Sequence, residues 1–322
     1  MARELEYLSQ EQVDEFLERG FIVIKNAFTK EQAAEKTNDI WFRLNLDPND
    51  KSTWDRERIH MPWNNRFKVA EFAPKAWAAI KDLVGGEERV EEEASCWGDS
   101  FIVNLGAEKW EKAERDLHPT ELDNWHVDGD FFVHFLDSPE QALLVIPVYS
   151  EIKPRGGGTM ICPDGIDLIA NYLAIHPEGV LPTGHSFTPS TSTFAKHQDH
   201  PGYWSHLEEI KRCKNFVEVT GEIGDVVLMH PLMMHSATKN YTRIPRIITN
   251  PPVSLKEPFN FDRDDPKEYS LVERKTLKAL GVDRFPYKIA TERRRIVPAR
   301  VLLQQKMKEE EEKRRLEGLK SA

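Results

Sequence analysis

The chain has 322 residues, of which 39% are hydrophobic and 30% charged. That balance supports a folded core and excludes a disordered or fibrous chain. With 44 Lys and Arg against 54 Asp and Glu, the formal net charge is −10, which argues against nucleic acid or an anionic membrane as partner. Three cysteines, Cys96, Cys162 and Cys213, form no Cys-x-x-Cys pair. They cannot build a disulfide framework and point to a reducing, cytoplasmic setting. The first seven residues carry no apolar signal core, and the most apolar stretch, 226–234, is too short to span a bilayer.

In chain order, Ser9 with Gln12 fits a capping box, and Leu8 with Val13 fits a hydrophobic staple. Val13, Phe16 and Leu17 give the helix one apolar face, and Gly20 is its stop. A buried strand is predicted over 21–24. Thr29 with Gln32 opens a second helix, and a third runs from Pro74 to Gly85-Gly86. From about residue 95 the pattern becomes strand-like. Strands are predicted over 101–105, 125–135, 142–149, 159–162, 216–220, 225–229 and 246–249, with a helix over 164–175. Residues 176–203 read as loop. Helices follow over 266–280, stopped by Gly281, and over 299–320, where the run Glu309-Glu310-Glu311-Glu312 reads as a solvated face. This layout divides one domain, 1–322, into a mostly helical part (1–94), a β core (95–255) and a helical C-terminal part (256–322). It fits an antiparallel double-sheet sandwich or jelly roll with helical padding.

The chemistry concentrates in two places. In Trp125-His126-Val127-Asp128, side chains two apart on a strand share a face, so an imidazole and a carboxylate enter one cavity. They can supply two facial ligands to one iron, although the pair alone fits equally a satisfied histidine beside a surface aspartate. Downstream come His230, His235, Asn240 and Arg246. Either histidine can be the third ligand, from another strand. A 2-His-1-carboxylate set leaves one octahedral face open, as non-haem iron(II) oxygenases require. A 2-oxo diacid on that face needs a buried cation for its far carboxylate, and the planar fork of Arg246 suits that task. Alone, Arg246 reads as an ordinary ion-pair residue.

In order, His126, Asp128, His235, Asn240 and Arg246 resemble the phytanoyl-CoA dioxygenase-like family of iron(II)/2-oxoglutarate oxygenases. The resemblance begins at Leu8-Ser9-Gln10-Glu11-Gln12 with Gly20-Phe21-Ile22-Val23. It closes at His235-Ser236-Ala237-Thr238-Lys239-Asn240 with Thr242 and Arg246. It implies a double-stranded β-helix (jelly-roll, cupin-like) core, mainly β with flanking helices. It implies Fe(II) on His126, Asp128 and His235, with His230 the rival to His235. It implies 2-oxoglutarate on Arg246, with Thr242 beside that arginine and Asn104 as a further polar contact. Where the family often has Ser two residues after the distal histidine, this chain has Ala237, and Ser236 or Thr238 would have to substitute.

The resemblance further implies that 2-oxoglutarate and O2 are consumed, succinate and CO2 are released, and a small organic substrate is oxidised. Asp128 favours hydroxylation over halogenation, which needs a small residue there. Residues 108–123 and 176–203 are candidate lids. His134 reads as a sheet histidine, and His197-Gln198-Asp199-His200 as loop rather than a zinc site. Trp97, Trp110, Trp125, Phe131, Phe132 and Phe135 are either a pocket or core. No compact basic cluster that would hold a CoA moiety stands near the motif. Two other classes remain in view: a cupin-type metal-binding jelly roll acting without 2-oxoglutarate, and a non-catalytic relative.

Overall fold

Local signals close the first elements as predicted. Helix α1 (Gln10–Arg19) opens with a reciprocal capping box between Ser9 and Gln12 and ends at Gly20, in the left-handed region at φ 75°. Such a cap contributes about 1 kcal/mol. Strand β1 (Phe21–Ile24) follows, then α2 (Lys30–Thr37) behind a second box made by Thr29 and Gln32. The short α3 (Ile40–Leu44) and α4 (Val69–Phe72) precede α5 (Pro74–Val84), which starts on proline and ends at Gly85. The computed structural model describes residues 4–182, 208–298 and 300–320.

The strands are β2 (Arg58–His60), β3 (Arg66–Lys68), β4 (Cys96–Gly98), β5 (Ile102–Asn104), β6 (Leu144–Pro147), β7 (Thr159–Cys162), β8 (Val217–Val219), β9 (Val226–Met229), β10 (Met234–Ala237) and β11 (Arg246–Ile248). They pair antiparallel. One sheet runs β1-β9-β6 and continues through the bridges Val148–Ile248 and Leu143–Val253 into β11-β5-β2. The opposing sheet runs β10-β7-β8 and gains an outer strand position where His126 bridges His235. Two facing antiparallel sheets linked across their ends make the double-stranded β-helix. Helix α7 (Asp164–Ala174) covers the outside of the β10 sheet, where Met234 packs against Gly165. One apolar cluster joins Phe16, Ile22, Leu83, Trp97, Phe101, Val145, Ile166 and Val272, so the N-terminal helices pack onto the same core as the strands.

Three expectations need correction. Residues 125–135 are not one strand. His126, Phe132 and His134 make isolated bridges to three different partners, His235, Arg295 and Val180. Gly129, at φ 111°, turns the chain between them. A Cβ there would lie 2.4 Å from the Phe132 ring. The helix predicted over 266–280 is a short 3-10 turn (Pro266–Glu268) followed by α8 (Leu271–Leu280). Ser270 and Glu273 make a capping box there that restarts the helix. In the C-terminal helix α9 (Arg300–Lys320) the acidic run is not all solvated: Glu311 is 3% exposed. It meets Arg43 Nε at 3.4 Å and accepts from Asn64 Nδ2 at 2.8 Å. No described helix is long and apolar enough to cross a membrane.

Candidate metal centre

Each residue of the predicted triad reaches the site by a different local device. His126 and His235 face each other as a hydrogen-bonded antiparallel pair, exchanging N–H···O bonds of 2.9 Å in both directions. Their rings stand 4.2 Å apart between centroids. Asp128 lies two residues beyond His126, before the turn at Gly129. Its Oδ1 sits 3.4 Å from His126 Nε2 and 3.5 Å from His235 Nε2.

Neighbouring groups fix which atoms converge. His126 Nδ1 donates to Asn124 O at 2.8 Å, and His235 Nδ1 donates to Met233 O at 3.0 Å. A carbonyl only accepts, so both ring hydrogens are committed there and both Nε2 lone pairs face Asp128. Asp128 Oδ2 accepts from Asn250 Nδ2 at 3.3 Å, which leaves Oδ1 for the centre. Two imidazole nitrogens and one carboxylate oxygen within 4.8 Å of one another are the donor set that a first-row divalent cation takes. The electrostatics agree. Burial drives the Asp128 carboxyl upward, but His235 and His126 outweigh it and hold the group well below the usual carboxylate value. Burial opposes charge on His235, yet Asp128 beside it raises that imidazole.

The rival ligand is elsewhere. His230 is fully buried under α8, with Nε2 against Thr276 Oγ1 at 2.9 Å and Nδ1 accepting from Leu232 N at 3.2 Å. Burial, with Lys275 acting the same way, pushes its imidazole down to about 3. It therefore protonates more easily in the unfolded chain. Its contribution to stability is complete above about pH 6.5 and is lost as pH falls toward 3, at up to about 1.4 kcal/mol per pH unit. Denaturant unfolding between pH 7 and 4 checks this. His230→Gln is expected to flatten the acid loss of stability, and an unchanged slope would refute the assignment. His134, expected in a sheet, makes an isolated bridge to Val180 instead, and its Nε2 donates to Gly129 O at 2.7 Å while the ring stacks on Phe132.

Register brings the cations in. On β11, β5 and β2 the partners Arg246, Asn104 and Arg58 form one row across the sheet. Arg246 is 2% exposed. Its Nε donates to Gly157 O at 2.7 Å, and among the described residues no carboxylate pairs with it. Burial pushes its guanidinium down to about 9, and Arg58 acts the same way. A buried guanidinium lacking an anion is costly unless a ligand supplies one. Arg58 has no sequence signal beyond its strand spacing to His60, and it was not expected here. It lines a cavity of about 420 Å³ with Asn104, Asn124, Ala237 and Thr238. Among the other lining residues Glu57 pairs with Lys109 and Asp123 with Lys239. No ion pair engages Arg58 among the described residues.

The remaining predicted contacts are committed to the protein itself. Asn104 Nδ2 donates to Gly157 O and Thr238 O, and its Oδ1 accepts from Gly106 N. Gly157 is at φ 77°, and a Cβ would lie 2.5 Å from Asn104 Nδ2. Asn104 and Arg246 thus share one carbonyl, held where only glycine fits. Thr238 Oγ1 donates to Gly158 O. Ser236 lies on the opposite face of β10 from His235, beside Met234 and toward α7. Thr242 closes the turn before β11, donating to Asn240 Oδ1 and accepting from Ile244 N. Asn240, through Asn104 O and Ile244 O, sets the geometry of that turn. Trp97, Trp125, Phe132 and Phe135 are core, whereas Trp110 is half-buried and donates to Glu57. In the 108–123 segment, α6 (Glu108–Glu111) and a 3-10 turn (Pro119–Glu121) precede Asp123 at the cavity. Of the other candidate lid, residues 183–203, including His197 to His200, lie outside the described residues.

No protein-family model and no curated protein matches the chain. Among solved structures, it is similar to HygX from Streptomyces hygroscopicus with nickel, 2-oxoglutarate and hygromycin B bound. Identity is 14% and the TM-score 0.42, over 80% of this chain and 90% of that one. EctD from S. alaskensis with bound Fe is 17% identical at a TM-score of 0.41, over 88% and 87%. The epimerase SnoN in complex with Fe3+, alpha ketoglutarate and nogalamycin RO is 15% identical at 0.39, over 76% and 82%. At such identities and scores the likeness assigns no activity to this chain.

Proposed function

We propose that this chain is a non-haem Fe(II)- and 2-oxoglutarate-dependent oxygenase that hydroxylates or otherwise oxidises a small organic molecule. The observation that carries the reading is the pairing of two incomplete sites. Two imidazoles and a carboxylate converge, and Arg246 lies buried with no carboxylate paired to it among the described residues. A ferrous ion completes the first and a dicarboxylate the second.

In this reading His126, Asp128 and His235 hold Fe(II) through Nε2, Oδ1 and Nε2. Bound Fe(II), with 2-oxoglutarate and O2, supplies the oxidising chemistry and releases succinate and CO2. Every other task falls to the chain. Arg246 receives the distal carboxylate bidentately, and Arg58 adds a second positive charge on the same face. Asn104 holds the Gly157 carbonyl that orients Arg246. Asn124 and Met233 keep the histidine hydrogens turned away from the centre. Ala237, which faces the cavity beside His235, leaves room where a hydroxyl would otherwise stand. Three cysteines that cannot build a disulfide framework support a reducing, cytoplasmic setting as part of the same proposal.

The test is anaerobic. Adding 2-oxoglutarate to the Fe(II) protein should produce a weak visible charge-transfer band, and admitting air should then release succinate. A protein that binds Fe(II) but shows neither band nor succinate would overturn the reading.

A further inference from the structure

The segment that carries Asp128 is not held by the jelly roll on both sides. On one side the His126–His235 bridge fixes it. On the other, residues 131–133 pair with the C-terminal segment, and His134 pairs with Val180. Val133 N donates to Arg294 O at 2.9 Å, Ile296 N donates to Phe131 O at 2.7 Å, and Phe132 bridges Arg295. Ile296 packs with Val133 and Phe135 in a small apolar cluster of their own.

Ion pairs close both ends of this contact. Arg293 Nη2 meets Asp137 Oδ1 at 2.7 Å. Arg300 grips Asp130 with both prongs, Nε to Oδ2 at 2.6 Å and Nη2 to Oδ1 at 2.7 Å. Arg300 begins α9, whose far end is anchored on the N-terminal part through Glu311 with Arg43 and Arg315 with Asp39. The helix and strap therefore form a brace from the N-terminal helices to the residue two positions after Asp128.

We propose that the C-terminal strap, residues 293–298, together with Arg300, belongs to the metal centre's scaffold, with Arg300 a positioning residue that holds Asp128 in register through Asp130. The proposal rests on the reading of the triad as a metal centre. Asp128 stands between the His126 bridge and the left-handed turn at Gly129, whose carbonyl is held by His134, and the Asp130 clamp is the ion pair nearest to it along the chain. Without that clamp, the 3.3 Å bond from Asn250 and the Gly129 carbonyl contact are left to order the carboxylate. A residue that orients a ligand in this way typically changes metal affinity 10- to 100-fold when lost. The guanidinium fork makes Arg→Lys a partial replacement only.

Co(II) titration of the full chain, read by absorption, tests this. Arg300→Gln and Asp130→Asn are each expected to weaken Co(II) binding roughly tenfold, and the double variant no more than either. Arg300→Lys should fall between. Hydrogen exchange of the metal-free protein should rise within 126–135 in Arg300→Gln, with the melting temperature within a few degrees of wild type. Arg315→Gln, which loosens the same helix far from the site, should leave Co(II) affinity unchanged. Unaltered affinity in Arg300→Gln, or an equal loss in Arg315→Gln, would refute the positioning role while leaving the metal centre standing. A wild-type chain that binds no Co(II) would remove the centre and the strap's role together.

Discussion

His235→Ala is expected to abolish metal-dependent behaviour while the chain still folds. In the proposed centre His235 supplies one of three donor atoms, and it is 7% exposed. Losing a direct ligand should weaken binding by roughly a thousandfold, or about 4 kcal/mol. A metal at 100 times its dissociation constant stabilises the fold by about 2.7 kcal/mol. In wild type, Co(II) or Ni(II) should therefore raise the melting temperature by several degrees, and in His235→Ala by none. His126→Ala and Asp128→Ala should behave alike, because the three atoms act as one site. His230→Ala should keep the metal response, since its imidazole faces Thr276 rather than the centre. A metal response retained in His235→Ala but lost in His230→Ala would reverse the assignment of the third ligand. Biological activity that survived His126→Ala would point instead to a non-catalytic role.

Arg246→Gln is expected to remove 2-oxoglutarate binding and leave metal binding intact. Charge-assisted hydrogen bonds are worth roughly 1.5–3 kcal/mol each, so losing the bidentate grip should cost about 3 kcal/mol, near 100-fold in affinity. The glutamine can still donate to the Gly157 carbonyl, which keeps the loop in place. Arg246→Lys should recover part of the affinity, because a point charge replaces a planar fork. The Fe(II)–2-oxoglutarate band, titrated anaerobically, separates this loss from loss of the metal. An activity insensitive to Arg246→Gln would instead favour a cupin-type centre working without 2-oxoglutarate. Arg246→Gln should also stabilise the ligand-free fold slightly, since it relieves a buried charge that no carboxylate balances among the described residues.

What the amino-acid order determined by itself is local. Ser9 with Gln12, Thr29 with Gln32, and the stops at Gly20, Gly85 and Gly281 are contacts within one helical turn. They form wherever the chain goes, and all stand as predicted. The apolar run of β6 and the Gly-rich turn before β7 are equally local. The order His126, Asp128, His235, Arg246 was legible as a spacing.

Only the tertiary structure decided the rest, because the deciding partners lie far along the chain. His235 rather than His230 faces Asp128 because β10 pairs with His126, over a hundred residues away. Arg58 joins Arg246 only through strand register. Glu311 is buried rather than solvated where it joins Arg43, 268 positions earlier, which also pairs with Asp99. Residues 125–135 had the composition of a strand, but Gly129 and the C-terminal strap broke them into three separate pairings. A charge or an aromatic ring looks the same in a sequence whether water or a distant partner satisfies it. The fold settles which, because burial makes an unmatched polar group costly.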